Sequence, residues 1–199
     1  GQLIDVYKIY LQTHEDELYD MLMLHNREDL EGMPLILPIL NYPDFFEHPF
    51  LLKNETVLDD RVVLHLKSPV SLPVSCACRT DLGNFSADGQ EVMLEIPLYR
   101  GILKHFYEDY KDYYYLIYED TAVHQSIGEF VEKSARKKAT AKTCYTKKEG
   151  VFFPLADVWD KPMFQEEYRG KIMFGEYTAG VFESSEFIEK YIKKIVFAK

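Results

Sequence analysis

Residues 17–33 read ELYDMLMLHNREDLEGM, and as a helix they place Met21, His25 and Asp29 one above another at i, i+4 and i+8. Leu18 and Leu22 lie alongside, so an imidazole and a carboxylate project from, or right beside, the face that the hydrophobic residues would bury. Asn26 flanks the same edge. Thr13, followed three positions later by Asp16, marks a capped start, while Gly32 and Pro34 weaken the far end.

Outward from this stretch, residues 2–12 read as a short amphipathic helix with Leu3, Val6, Tyr7 and Tyr10 on one side. Downstream, Pro34 and Pro38 divide MPLILPILNYPDFF, which predicts a helix with a bent or broken course. Residues 41–49, rich in Pro, Asp and aromatics, mark a boundary, with the seam near residue 46. Beyond it the period becomes twofold. RVVLHLK at 61–67 alternates as a strand, a second strand is expected over 70–80, residues 81–89 carry turn signals, and 91–97 supply the partner strand. Residues 100–107 and 113–118 offer two more strands. Spacing over 121–138 predicts a helix with acids at its start and cations at its end, and 140–154 a hairpin turning at Lys147–Gly150. Residues 158–177 give no clear period, and Ser184–Val196 predicts a terminal helix with Phe187, Ile188, Tyr191, Ile192 and Ile195 along one face. The expectation is an α+β fold: a helical tail over 1–45, then a module over 46–199 built on an antiparallel sheet or small open barrel, with a mid-chain and a C-terminal helix.

A chain of 199 residues with 47% hydrophobic and 15% aromatic content has the makings of a packed core. No run of eighteen apolar residues occurs, so no membrane partner is expected, and GQLIDVYKIY lacks the layout of a secretory signal, which predicts a cytoplasmic protein. Three cysteines are too few for a disulfide framework. Cys76 and Cys78, with Cys144 and a histidine, could make a four-ligand zinc site, against the default of buried thiols in a reducing compartment. Charge is uneven: residues 1–60 hold three cations and thirteen acids, whereas residues 61–199 hold twenty of each.

The string His25-Asn26-Arg27-Glu28-Asp29-Leu30 resembles the last motif of the DEDD exonucleases, in the predicted ribonuclease branch of the ribonuclease H-like fold, where HN-x-x-D sits on the closing helix. The resemblance implies that Asp29 is one of four carboxylates that hold two divalent ions, Mg2+ or Mn2+, and that His25 orients or deprotonates the attacking water. His25 stands at the spacing where the family usually has Tyr. The family's upstream Asp-x-Glu strand and third acid have no counterpart in the sequence. The resemblance therefore implies a C-terminal fragment of a metal-dependent 3′-to-5′ exonuclease, a hydrolase acting on nucleic acid. Its expected partner is either the missing N-terminal catalytic region or a second copy of the chain. One carboxylate from four cannot hold two cations that each want six oxygen ligands, so this chain alone is expected to be inactive.

A second set of residues reads as a contact for single-stranded nucleic acid. Lys133, Arg136, Lys137, Lys138, Lys142, Lys147 and Lys148 follow one another without an intervening acid, and Thr143 and Tyr145 lie among them. The competing reading is a basic helix end and a charged hairpin without a partner. Tyr113 and Tyr115 would share one face of a strand and Tyr114 the other, a strip that could stack bases but more commonly packs against neighbours. No phosphate loop, dinucleotide fingerprint, nucleophile elbow or H-E-x-x-H pattern occurs. The alternative to the nuclease reading is a non-catalytic protein-interaction or structural module.

Overall fold

The computed structural model describes residues 2–157 and 159–197; Val158, at the head of the segment without a clear period, lies outside them. The expected amphipathic pair forms as α1 (Gln2–Thr13) and α2 (Asp16–Ile36). His14, at φ 54, reverses the chain between them, and its N–H reaches the Tyr10 carbonyl at 2.8 Å. Half-buried Leu3, Val6 and Tyr10 on α1 and Leu18 and Leu22 on α2 form the meagre seam of this pair, and neither helix buries a single residue. The bent course set by the prolines is also present. Helix α2 continues through Pro34, a 3-10 turn spans Leu37–Leu40 with Pro38 near its start, and α3 (Asn41–Glu47) follows. A proline early in a turn loses no hydrogen bond, because its N–H would have had no partner.

Helix α3 docks onto the rest of the chain through fully buried Phe45, and Glu47 lies 3.7 Å from Lys193. Next comes an antiparallel sheet in the order β1-β2-β5-β4-β3, from β1 (Leu51–Val57), β2 (Arg61–Lys67), β3 (Cys76–Thr80), β4 (Gly83–Asp88) and β5 (Glu91–Pro97). Its inner face follows the period-two rule: Val62, Leu64 and Leu66 sit beside Val92, Leu94 and Ile96, with Phe85 and Ala87 next to them, all buried. The strand expected over 70–80 shrinks to its last five residues, because Pro73 removes a ladder donor and Leu72 instead donates to the Gly89 carbonyl at 2.9 Å. The turn expected over 81–89 proves to be β4. Phe85 and Ala87 alternate into the core, so the reversal is confined to its two ends, one at Gly83 (φ +149), where a Cβ would overlap the Glu95 carbonyl.

Strand β6 (Tyr99–Phe106) opens a second sheet, ordered β11-β12-β10-β6 with β10 (Tyr145–Pro154), β11 (Met163–Phe164) and β12 (Phe174–Glu176). Gln165 and Lys104 exchange backbone hydrogen bonds of 2.8 and 2.9 Å, which curls this sheet around Leu103, Phe152 and Phe164. The hairpin expected at Lys147–Gly150 is absent: β10 runs straight through it, since pairing with β6 from Tyr145 to Phe152 supplies every residue with a cross-strand neighbour. A third sheet, β8-β7-β9, comprises β7 (Tyr113–Leu116), β8 (Thr121–His124) and β9 (Arg136–Lys138).

The helix expected over 121–138 is thereby corrected. Only one turn survives, α4 (Gln125–Gly128), flanked by β8 and β9. Pairing of Thr121 and Val123 with the tyrosine strand outweighs their weak helical spacing. The terminal helix α5 (Ser185–Val196) matches its expectation. Ser184 caps it through the Phe187 N–H at 3.3 Å, and Ile188, Tyr191, Ile192 and Ile195 are buried against the five-stranded sheet. The fold is α+β.

Candidate functional site

On α2 the motif residues are one turn apart, so His25 Nδ1 and Asp29 Oδ2 meet at 3.1 Å. Their side chains remain 45% and 67% exposed. The first turn of α1 lies beside them, and Gln2, Leu3, Ile4 and His25 line an open cleft of about 450 Å³. Fifteen large hydrophobic side chains between Ile4 and Leu40 are exposed on the same pair of helices and the turn that follows. Among the described residues no three His, Cys, Asp or Glu side chains converge to hold a cation. A pair of Mg2+ or Mn2+ ions therefore does not fit the donors this chain supplies around Asp29, where one carboxylate faces a shell of about six oxygens per ion.

The thiols do not meet either. Cys76 and Cys78 sit two apart on β3 at the main core, with Cys78 Sγ 3.5 Å from the Ile195 carbonyl. Cys144 is buried in a separate cluster with Ala122 and Ala139, where burial pushes its thiol up to about 11. The zinc arrangement joining all three is absent because the sheets carry them to different cores.

The basic stretch is divided by the strands it runs along. In β9, Arg136 and Lys138 lie over the ring of Tyr114, at 4.5 and 4.3 Å from its centroid, while Lys137 lies 5.2 Å over Tyr115 on the opposite face. Lys147 and Lys148 point to opposite sides of β10, the first to Asp120 and the second to Glu176 at 2.6 Å. Lys133 and Lys142 are exposed in the connecting segments. Tyr145, read from sequence as a stacking face, is only 7% exposed and has its ring against Phe106, so it cannot take a base.

The centre that joins these elements escaped the sequence reading. Asp120, in the left-handed conformation at φ +51, accepts hydrogen bonds from the hydroxyls of Tyr115 and Tyr145 and pairs with Lys147. Lys147 chiefly, then the two hydroxyls, hold its carboxyl well below the usual carboxylate range. Burial chiefly, then the hydrogen bond to Asp120, pushes the Tyr145 phenol up. Lys104 completes the group 4.9 Å over the Tyr145 ring. In sequence, Glu119-Asp120 looks like a helix start, and only the pairing of β7 with β8 makes it a turn. Tyr113 packs on Tyr107, ring centroids 4.8 Å apart, and is thereby spent on structure.

No protein-family model matches the chain, and no curated protein or solved structure matches it significantly. Among the described residues no helix is long and apolar enough to cross a membrane.

Proposed function

We propose that the α1–α2 pair closes a ribonuclease H-like, metal-dependent 3′-to-5′ exonuclease domain whose other carboxylates come from another segment or another chain. Residues 46–199 then form an accessory module beside the nucleic-acid substrate. In this reading Asp29 contributes one carboxylate to the divalent-ion site and His25 positions the attacking water. The observation that supports it is the position of the pair: His25 and Asp29, 3.1 Å apart, project from helices that bury no residue although fifteen large hydrophobics around them are exposed. Such helices present a polar pair on a face that lacks its covering surface. A cytoplasmic setting belongs to the same reading and is supported by three unpaired cysteines, Cys76, Cys78 and Cys144.

The test is degradation of an end-labelled oligonucleotide, with Mg2+ or Mn2+, by protein carrying this segment together with its natural upstream sequence. Asp29→Asn should lower turnover by at least a hundredfold, the scale on which loss of a charge-stabilising group acts. Undiminished turnover would remove Asp29 from the site and the nuclease reading with it.

A further inference from the structure

Strand β9 is three residues long and all three are cations, Arg136, Lys137 and Lys138. One of its edges pairs with β7, and the order β8-β7-β9 leaves the other without a strand partner among the described residues. Arg136 and Lys138 share the ring of Tyr114, yet among the described residues neither they nor Lys137 has a carboxylate within ion-pair distance, in contrast to Lys147 and Lys148. Two positive groups over one ring repel each other until an anion arrives.

Two exposed rings stand at the end of the same strand. Tyr118 is 78% exposed and Phe130 91%, so neither fills a core. Hydrogen bonds tie the segments that bear them to β9 and its approach: the Ile117 N–H, one residue before Tyr118, donates to the Ala135 carbonyl at 2.9 Å, and the Arg136 guanidinium donates to the carbonyl of Gly128, two residues before Phe130. Three consecutive cations without a carboxylate, and two bare aromatic faces beyond their Arg136 end, thus share one rim of the third sheet. A single nucleic-acid strand offers both complements, phosphates for the cations and flat bases for the rings. An acidic peptide would satisfy the cations but leave the flat rings without stacking partners.

We propose that this rim binds single-stranded nucleic acid, with Arg136, Lys137 and Lys138 taking phosphates and Tyr118 and Phe130 stacking bases. The inference deepens the nuclease reading and rests on it for the identity of the substrate. It names the surface by which the module would grip the strand.

The measurement is fluorescence anisotropy of labelled oligo(dT) and oligo(U) with the chain in EDTA, so that no metal-dependent cleavage intrudes. Three phosphate contacts predict a slope of roughly −2 in log affinity against log salt, at about −0.7 per contact for single strands. Lys137→Gln with Lys138→Gln should reduce that slope to about −0.7, leaving the Arg136 contact. Phe130→Ala and Tyr118→Ala should each weaken binding about tenfold at fixed salt, as expected when a stacked base loses its ring, with the slope unchanged. Lys190→Gln, which breaks a pair with Glu186 on α5, is the control and should change nothing. All of these side chains are exposed, and superimposable thermal melts would show that the variants fold. Absence of binding at low salt, or binding indifferent to the rim substitutions, overturns the proposal. So does competition by polyglutamate as strong as by unlabelled oligonucleotide, which would assign the rim to an acidic protein. Asp29→Asn leaves this binding intact, so loss of cleavage with binding retained speaks only to the nuclease site, and loss of binding with cleavage retained speaks only to the rim.

Discussion

The helical pair over residues 2–36 and the sheet module over residues 46–199 are both amphipathic, yet they use their apolar residues in opposite ways. In the module, Ile188, Tyr191, Ile192 and Ile195 of α5 share one core with Leu64, Leu66, Leu94 and Ile96 of the sheet, and all eight are buried. In the pair, Ile4, Tyr7 and Leu11 recur at i, i+3 and i+7, and they and Leu30 remain exposed. A helix of this length gains most of its stability from packing, not from propensity. The difference teaches that an apolar stripe marks a face meant to be covered and does not say by what.

That contrast can be broken most sharply by truncation. Ile195→Ala should cost about 2–5 kcal/mol, as expected when a core side chain leaves a cavity, whereas Leu30→Ala should stay within about 0.5 kcal/mol. Urea denaturation followed by the fluorescence of Trp159, the single tryptophan, reads the module directly, because that ring packs on Phe153 with centroids 5.5 Å apart. A loss of equal size at both positions would mean that the pair has found a covering surface, such as a second copy.

A smaller change sharpens the comparison within the module. The buried Tyr191 hydroxyl lies 2.9 Å from the Leu82 carbonyl and 2.8 Å from that of Pro154, tying α5 to the β3–β4 turn and to β10. Tyr191→Phe keeps the ring and removes the one proton the two carbonyls share, which should cost about 1–3 kcal/mol in the same denaturation experiment. A neutral result would show that water replaces the hydroxyl.

The smallest expected effect concerns Asp120. Its carboxyl ionises well below the usual carboxylate range in the fold, against ~3.9 in an unfolded chain. Stability from this group is therefore present above pH ~4 and is lost as pH falls toward the folded-state value. Because its side chain is 40% exposed, solvent screens much of the gain. Asp120→Asn should lower thermal stability modestly at neutral pH and converge with the parent protein at the acid end, so that the acid limb below about pH 4 is flattened; an acid limb identical to that of the parent protein would assign the acid sensitivity elsewhere.

Legibility followed the range of the interactions. Helices α1, α2 and α5 were readable because their periodic residues lie within a few turns of one another, and β2 and β5 because alternation is a nearest-neighbour pattern; the capped start expected from Thr13 and Asp16 did not form, since Thr13 ends α1 with its hydroxyl on the Ile9 carbonyl and α2 has no side-chain cap. Residues 121–138 misled because their helical spacing is local whereas the competing Tyr113–Leu116 strand is supplied from outside the segment. The motif pair His25–Asp29 was visible from spacing alone, while the centre at Asp120 was not, since Tyr115, Tyr145 and Lys147 reach it from two other strands.

By itself, then, the sequence determined the α+β composition, the amphipathic faces and the i, i+4 contact of His25 with Asp29, all consequences of backbone period over short distances. Only the tertiary structure decided that Tyr145 is buried, that Lys147 and Lys148 are neutralised by Asp120 and Glu176, and that Arg136, Lys137 and Lys138 are left without a carboxylate among the described residues. The physical reason is that charge pairing and burial depend on strands brought together across the chain, and cross-strand partners are not written in the spacing of either strand alone.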